Sequence, residues 1–283
     1  EAEKCAWVCE YYADNAEKFL AKKDIITEAL NSFVSYQPIG IVLAVMPWNF
    51  PFWQVFRFAA PALMAGNVGV LKHASNVQGC AQGIENLFAA AGFPECVFKN
   101  LAIGSVKVEN VIKNPSVKAV TLTGSTPAGK AVASLAGSML KKTVLELGGS
   151  DPYVILEDAD MDQAVNACIT GRMLNTGQSC IAAKRFIVVE TCLDEFTDKI
   201  TEKIKDMNVG DPLDLKMDIG PMVNISARDE LHQQVIASMD KGAVLITGGI
   251  IPPAPGFFYP PTLLAGVRPG MPAFDDELLV LLP

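Results

Sequence analysis

The chain has 283 residues, half of them hydrophobic and 19% charged, with a formal net charge of −8. The composition is globular rather than disordered, the length allows one large domain or two ordinary ones, and the negative charge without a Lys/Arg cluster argues against a binder of phosphate backbones. The longest apolar run, around 39–46, stops at Pro47, far short of a membrane span, and the opening residues do not read as a signal peptide.

Cys5, Val8, Tyr12, Ala16, Phe19 and Leu20 recur at helical spacing and predict a first helix to about residue 20. A short extended segment follows at 25–36. The pattern then alternates: strand 39–45, helix 53–64, strand 68–71, helix 77–91 closed by Gly92, strand 98–103, short helix 106–112, strand 117–122, helix 128–139, strand 143–147. Strands that are apolar throughout belong to a sheet covered on both faces. Alternation with helices makes that sheet parallel and doubly wound. After Gly148-Gly149 a second set begins: strand 153–156, helix 161–174, strand 186–189, helices 193–207 and 225–241, strand 243–247 and a Pro-rich loop at 252–255. The fold class is therefore α/β, with domains at 1–147 and 148–283. The chain reads as cut at both ends: it opens inside a helical pattern without a start Met and closes on the apolar run 279–283 without a capping signal.

In an open parallel sheet, ligands bind beyond the carboxyl ends of the strands, and four such ends carry unusual residues. At Met46-Pro47-Trp48-Asn49-Phe50-Pro51, two prolines stiffen a loop that presents the Asn49 amide; a Pro-rich turn around a packing Trp fits equally well. Leu71-Lys72-His73-Ala74-Ser75 sets a lysine just past a buried strand, able to reach a ribose or phosphate or simply solvated. Thr123-Gly124-Ser125-Thr126-Pro127-Ala128-Gly129-Lys130 joins strand to helix with free amides and a hydroxyl that suit a phosphate. It lacks P-loop spacing, and a plain N-cap would use the same residues. Leu145-Glu146-Leu147-Gly148-Gly149 places a carboxylate just inside the end of an apolar strand. Buried there, Glu146 would have a raised pKa and serve as a general base; turned to water it would be unremarkable.

Seven cysteines, without a CxxC pair and with only His73 and His232 beside them, argue against a metal site and for reduced thiols in a cytoplasmic protein. Cys5, Cys9, Cys80, Cys96, Cys168 and Cys192 read as core. Cys180 differs, closing the polar run Asn175-Thr176-Gly177-Gln178-Ser179-Cys180. One strand and one helix separate it from Glu146, so the chain returns to the same sheet edge. A thiol with a base and an amide donor is the set of parts that covalent acyl chemistry uses, although a buried core position is the commoner fate of a free Cys.

Taken together, PWNFP (47–51), LKHAS (71–75), TGSTPAG (123–129), LELGG (145–149) and NTGQSC (175–180) resemble the aldehyde dehydrogenases in order and spacing, across nearly the whole chain. GRMLNTGQSC (171–180), DELHQQV (229–235) and YPPTLL (259–264) are similar to the succinate-semialdehyde dehydrogenase branch. The resemblance implies a Rossmann-like dinucleotide-binding domain at 1–147, with 25–36 as an extended oligomerisation arm, followed by part of a second α/β catalytic domain. It implies Cys180 as the nucleophile that attacks an aldehyde carbon, with Asn49 and the Cys180 backbone N–H holding the oxyanion. Hydride would pass to a nicotinamide, leaving a thioester that Glu146 hydrolyses by activating water.

Met46, Pro47, Trp48, Lys72, Ser75, Gly104, Gly124, Ser125, Gly129, Leu147 and Glu277 fall where the family holds NAD or NADP. Ser75 stands where strictly NAD-dependent relatives often carry an acidic residue, which keeps NADP open. Arg57 matches an arginine that semialdehyde-specific members use for the substrate carboxylate, although a lone arginine also fits a plain surface position. Its usual companion before Asn175 is Leu174 here, with Arg172 nearby on a helix.

The chain departs from the family at Asp276-Glu277-Leu278-Leu279-Val280-Leu281, where a Phe-Gly-Pro is missing along with everything after it, and at 101–105, which keeps only Gly104. Three functions stay open: NAD(P)-dependent oxidation of a small ω-carboxylated aldehyde, transfer of the acyl group to coenzyme A, against which Glu146 argues, and a shortened inactive piece with at most dinucleotide binding. The expected partners are the aldehyde and further copies of the chain, as a dimer or tetramer built through the exposed edge of the arm, and neither nucleic acid nor a membrane.

Overall fold

The computed structural model describes residues 1–278; the apolar run at 279–283, with Leu279, Val280 and Leu281 of the departing motif, lies outside them. The chain divides into two compact units, Glu1–Leu147 and Gly148–Pro283.

The first unit opens with α1 (Ala2–Leu20), which buries Cys5 and Val8. Two-residue strands β1 (Lys23–Asp24) and β2 (Phe33–Val34) then pair antiparallel. The segment expected to be one extended arm is therefore a hairpin, with Ile26 and Leu30 projecting fully into solvent at its tip. Beyond it β3 (Ile41–Met46), α2 (Trp53–Met64), β4 (Val68–His73), α3 (Gln78–Ala90), β5 (Phe98–Asn100), α4 (Val108–Lys113), β6 (Val117–Thr123), α5 (Thr126–Ser138) and β7 (Lys142–Glu146) alternate as the apolar pattern predicts.

The five strands β3 to β7 form one parallel sheet in the order β5-β4-β3-β6-β7. Ala44, Met46, Val55, Ala59, Leu71, Ile84 and Phe88 fill one layer of core, between this sheet and α2 and α3. Leu43, Ile112, Val120, Leu122, Val132 and Ala136 fill another, toward α4 and α5. Each large side chain removed from water contributes about 2 kcal/mol before entropy is counted. The strand order reverses between β3 and β6, and the carboxyl ends of those two strands form the crevice where such sheets receive ligands.

Two local readings fail. β4 runs on to His73, so Lys72 lies inside the strand, paired beside Val45, and not past its end. β7 is an edge strand, so Lys142, Thr143, Val144 and Glu146 are exposed and only its neighbours are covered on both faces.

In the second unit, β8 (Pro152–Ile155) and β9 (Arg185–Val188) pair in parallel across α6 (Met161–Met173). Helices α7 (Leu193–Lys205) and α8 (Ile225–Asp240) follow, then β10 (Val244–Thr247) and β11 (Leu263–Ala265), paired antiparallel, and α9 (Pro272–Asp275). Helix α7 shows the expected amphipathic logic: Phe196, Ile200 and Ile204 are buried at helical spacing and the charges face water. Val165, Cys168, Phe186, Phe196, Leu231, Val235, Leu263 and Leu264 belong to a single core.

All seven cysteines are free. Cys5 and Cys168 are buried as expected, but Cys96 is exposed on a left-handed turn residue, and Cys9, Cys80 and Cys192 are only half-buried. Among the described residues no helix is long and apolar enough to cross a membrane, and no group of three His, Cys, Asp or Glu could hold a metal.

Candidate active site

At the switch point of the first unit, β3 ends on buried Met46 and a bend carries half-buried Pro47, Trp48 and Asn49 toward α2. Fully buried His73 pins this bend. Its Nε2 lies 2.9 Å from the Pro51 carbonyl, and its Nδ1 lies 3.2 Å from the Met46 carbonyl and 3.0 Å from the Ala74 nitrogen, so the ring ties both ends of the bend whichever nitrogen carries the proton. The Glu1 carboxylate accepts from the Phe52 and Trp53 N–H groups at 3.3 and 3.0 Å, where the dipole of α2 favours an anion.

At the end of β4, Lys72 is half-buried and Ser75 is exposed at the start of a 3-10 turn. Gly104 is exposed and leads into another such turn. At the end of β6, the Gly124 N–H donates to the Glu146 carbonyl at 3.0 Å. Ser125 caps α5, its Oγ accepting from the Ala128 N–H at 3.4 Å. A Cβ on Gly129 would stand 2.5 Å from Leu147 Cδ2, so only glycine lets α5 seat this closely on Leu147. Ser125 and Thr126 face water and the first turn of α5 carries no acidic side chain, a helix start that fits a dinucleotide phosphate.

Glu146 corrects an expectation. It is not a buried carboxylate: 55% of its side chain is accessible, and its Oε2 lies 3.5 Å from Arg57 Nη1. The other terminal nitrogen of Arg57 donates to Thr123 Oγ1 at 3.2 Å. Thr123 and Glu146 are register partners on β6 and β7, so the two strand ends and α2 bring these three polar groups together.

In the second unit, α6 runs into a turn in which Asn175 (φ 55), Thr176 (φ 58) and Gly177 (φ 73) are consecutively left-handed. That conformation costs an L-residue about 1–2 kcal/mol, and half-buried side-chain hydrogen bonds oppose the cost. Thr176 Oγ1 accepts from the Gly220 N–H at 3.2 Å. The buried Gln178 side chain accepts from the Val223 N–H at 2.9 Å and donates to the Pro221 carbonyl at 3.4 Å. The turn delivers buried Ser179 and half-buried Cys180. Cys180 therefore lies in the loop that precedes the amino end of β9.

Two buried cations stand in this part of the unit: Lys184, which the sequence reading did not single out, and Arg172, which it named only as a helix residue near Leu174. Lys184 has no accessible surface; its Nζ donates to the Cys180 carbonyl at 2.7 Å and lies 3.3 Å from Glu277 Oε1. Burial pushes the ammonium pKa down, and Glu277 opposes that shift. Arg172 is equally buried and its Nη2 donates to the Leu278 carbonyl at 3.2 Å, while Nε and Nη1 have no partner among the described residues. Burial pushes its pKa down to about 9 against the pull of Glu277, which leaves it cationic at neutral pH. Glu277 itself lies against Gly148, where a Cβ would stand 1.6 Å from Oε2. The signal for Arg172 was in the sequence: it continues the buried stripe Met161, Val165, Cys168 at helical spacing.

The profile of the aldehyde dehydrogenase family matches residues 1–280. The chain belongs to that family. It is 52% identical over 277 residues to a Synechocystis protein named probable succinate-semialdehyde dehydrogenase (NADP+), covering 98% of this chain and 61% of that one. It is 50% identical over 281 residues to the Mycobacterium leprae succinate-semialdehyde dehydrogenase (NADP+), covering 98% and 62%. The structure of succinic semialdehyde dehydrogenase from Streptococcus pyogenes in complex with NADP+ superposes with a TM-score of 0.95 at 38% identity, covering 98% of this chain and 61% of that one. The chain thus spans about three fifths of the length of these relatives.

Proposed function

We propose that the protein oxidises a small aldehyde bearing a carboxylate, succinate semialdehyde or a close analogue, to the acid with NADP. In this reading the first unit binds the dinucleotide, the second is catalytic, and Cys180 is the nucleophile. Its thiolate adds to the aldehyde carbon, and the Asn49 amide with the Cys180 backbone N–H holds the charge that develops on oxygen. A bound nicotinamide supplies the hydride acceptor. Glu146 takes a proton from the water that attacks the Cys180 thioester; the C–S bond breaks and the thiolate leaves.

The observation that carries this reading is the left-handed turn Asn175–Thr176–Gly177, held by Thr176 and Gln178, because strain retained in front of one particular thiol marks a functional position. Met46, Pro47, Trp48, Lys72, Ser75, Gly104, the Gly124-Ser125 helix start with Gly129 and Leu147, and Glu277 would hold the cofactor. An exposed Ser75 with no carboxylate in its place favours NADP over NAD, in keeping with relatives named for NADP+. Arg57 would take the substrate's carboxylate. The exposed β1–β2 hairpin would join copies into a dimer or tetramer, in a cytoplasmic protein.

The test is turnover of succinate semialdehyde with NADP and with NAD, followed through absorbance of the reduced cofactor. Wild-type turnover by Cys180→Ser overturns the nucleophile, and a requirement for coenzyme A with acyl-coenzyme A as product overturns hydrolysis.

A further inference from the structure

A cavity of about 540 Å³ opens beside α2, β6 and β7 and is lined by Gln54, Arg57, Thr123, Lys142, Val144 and Glu146 among others. Arg57 spends its two terminal nitrogens on neighbours of different kinds. Thr123 is buried, and its Oγ1 fixes one arm of the guanidinium at 3.2 Å. Glu146 holds the other arm at 3.5 Å from a side chain that is more than half accessible. Gln54 is 3% exposed, and its Oε1 has no hydrogen-bond partner among the described residues. Charged groups on the cavity wall comprise two cations, Arg57 and Lys142, against the single carboxylate of Glu146. The wall therefore tolerates a second anion, and the arm of Arg57 that Thr123 does not hold already has a carboxylate on it.

We propose that Glu146 is an internal stand-in for the substrate's carboxylate: it occupies Arg57 in the free protein, and a carboxylate-bearing ligand displaces it. The proposal rests on the reading of Arg57 as the carboxylate site and adds a consequence that reading lacks. Glu146 becomes a specificity-determining residue, because a ligand without a carboxylate leaves it tied to Arg57 and away from its work as a base. Magnitude decides that displacement is feasible. An exposed ion pair is weak, so a ligand carboxylate has little to overcome, whereas a fully buried pair would stay shut. Thr123 is the positioning residue that keeps the guanidinium aimed while its second partner changes.

The experiment is a calorimetric titration of this 283-residue chain with butyrate, which keeps the carboxylate end of a four-carbon semialdehyde, and with neutral butyramide as control. Glu146→Gln should bind butyrate about two- to fivefold more tightly than the wild type, the range an exposed pair allows. It should leave butyramide unchanged. Arg57→Met should abolish butyrate binding and with it the effect of Glu146→Gln, and Arg57→Lys, which keeps a charge but loses the fork, should bind weakly. If binding depends on Arg57 but Glu146→Gln leaves it unchanged or weakens it, the stand-in is overturned while the carboxylate site survives. If Arg57→Met binds as well as the wild type, or no variant binds butyrate, the carboxylate site is overturned and the stand-in falls with it.

Discussion

Replacing Lys184 by Met tests whether the buried cation organises the Cys180 turn. Lys184 has no accessible surface, donates to the Cys180 carbonyl at 2.7 Å and lies 3.3 Å from Glu277. Breaking a buried ion pair by removing one partner costs about 3–5 kcal/mol. Two features reduce that here: Glu277 keeps 30% of its side chain accessible, and the charge of Arg172 acts on it from nearby. Met also fills most of the vacated volume with apolar atoms. What remains, the lost bond to the buried carbonyl included, is about 2 kcal/mol. Urea unfolding followed by far-ultraviolet circular dichroism reads this as a lower midpoint at unchanged slope. Adding Glu277→Gln removes the carboxylate that was stranded, so the double variant should recover about 1 kcal/mol of the loss. A single variant within about 0.5 kcal/mol of the wild type, the usual range of an unremarkable surface change, or strictly additive effects in the double, would show that Lys184 does not hold the turn through Glu277.

Gly177→Ala forces an L side chain to φ 73 at a buried position and should lower stability by about 1–2 kcal/mol; an unchanged thermal midpoint contradicts a left-handed Gly177. Burial pushes the Cys168 thiol up to about 12, so it stays protonated and inert as pH rises from 7 to 9, below its folded pKa throughout. Iodoacetamide with peptide mapping should label exposed Cys96 across that interval and spare Cys168 until the chain is unfolded; labelling of Cys168 at the rate of Cys96 would show that the second core is open.

The apolar pattern made the first sheet legible because its central strands are buried and its helices return at regular intervals. Helix α2 was readable to the residue, since Pro51-Phe52 precedes Trp53 and a break at Gly66-Asn67 follows Met64. The edge of the sheet was not readable, because run length does not say which strand lacks a neighbour. That is why Glu146, on β7, looked buried and is exposed. β11 and α9 escaped notice because three residues after Pro260-Pro261 and four beginning with Pro272 are too short to show a period.

Of the candidate site, the backbone devices were legible: the Pro-braced Asn49 loop and the glycine in front of Cys180. Its buried charges were not. Lys184 and Arg172 belong to residue types that normally face water, and only their company, Ala182-Ala183 before one and the Val165–Cys168 stripe before the other, marks them as interior.

We propose that Cys180 bonds to the aldehyde carbon and that Glu146 releases the product. The most direct test is mass analysis of the Glu146→Gln protein after incubation with succinate semialdehyde and NADP. An acyl adduct should accumulate on the peptide carrying Cys180 and be lost when Cys180 is replaced by Ala. An adduct on another cysteine, or turnover without any adduct in a Cys180→Ala background, would contradict it.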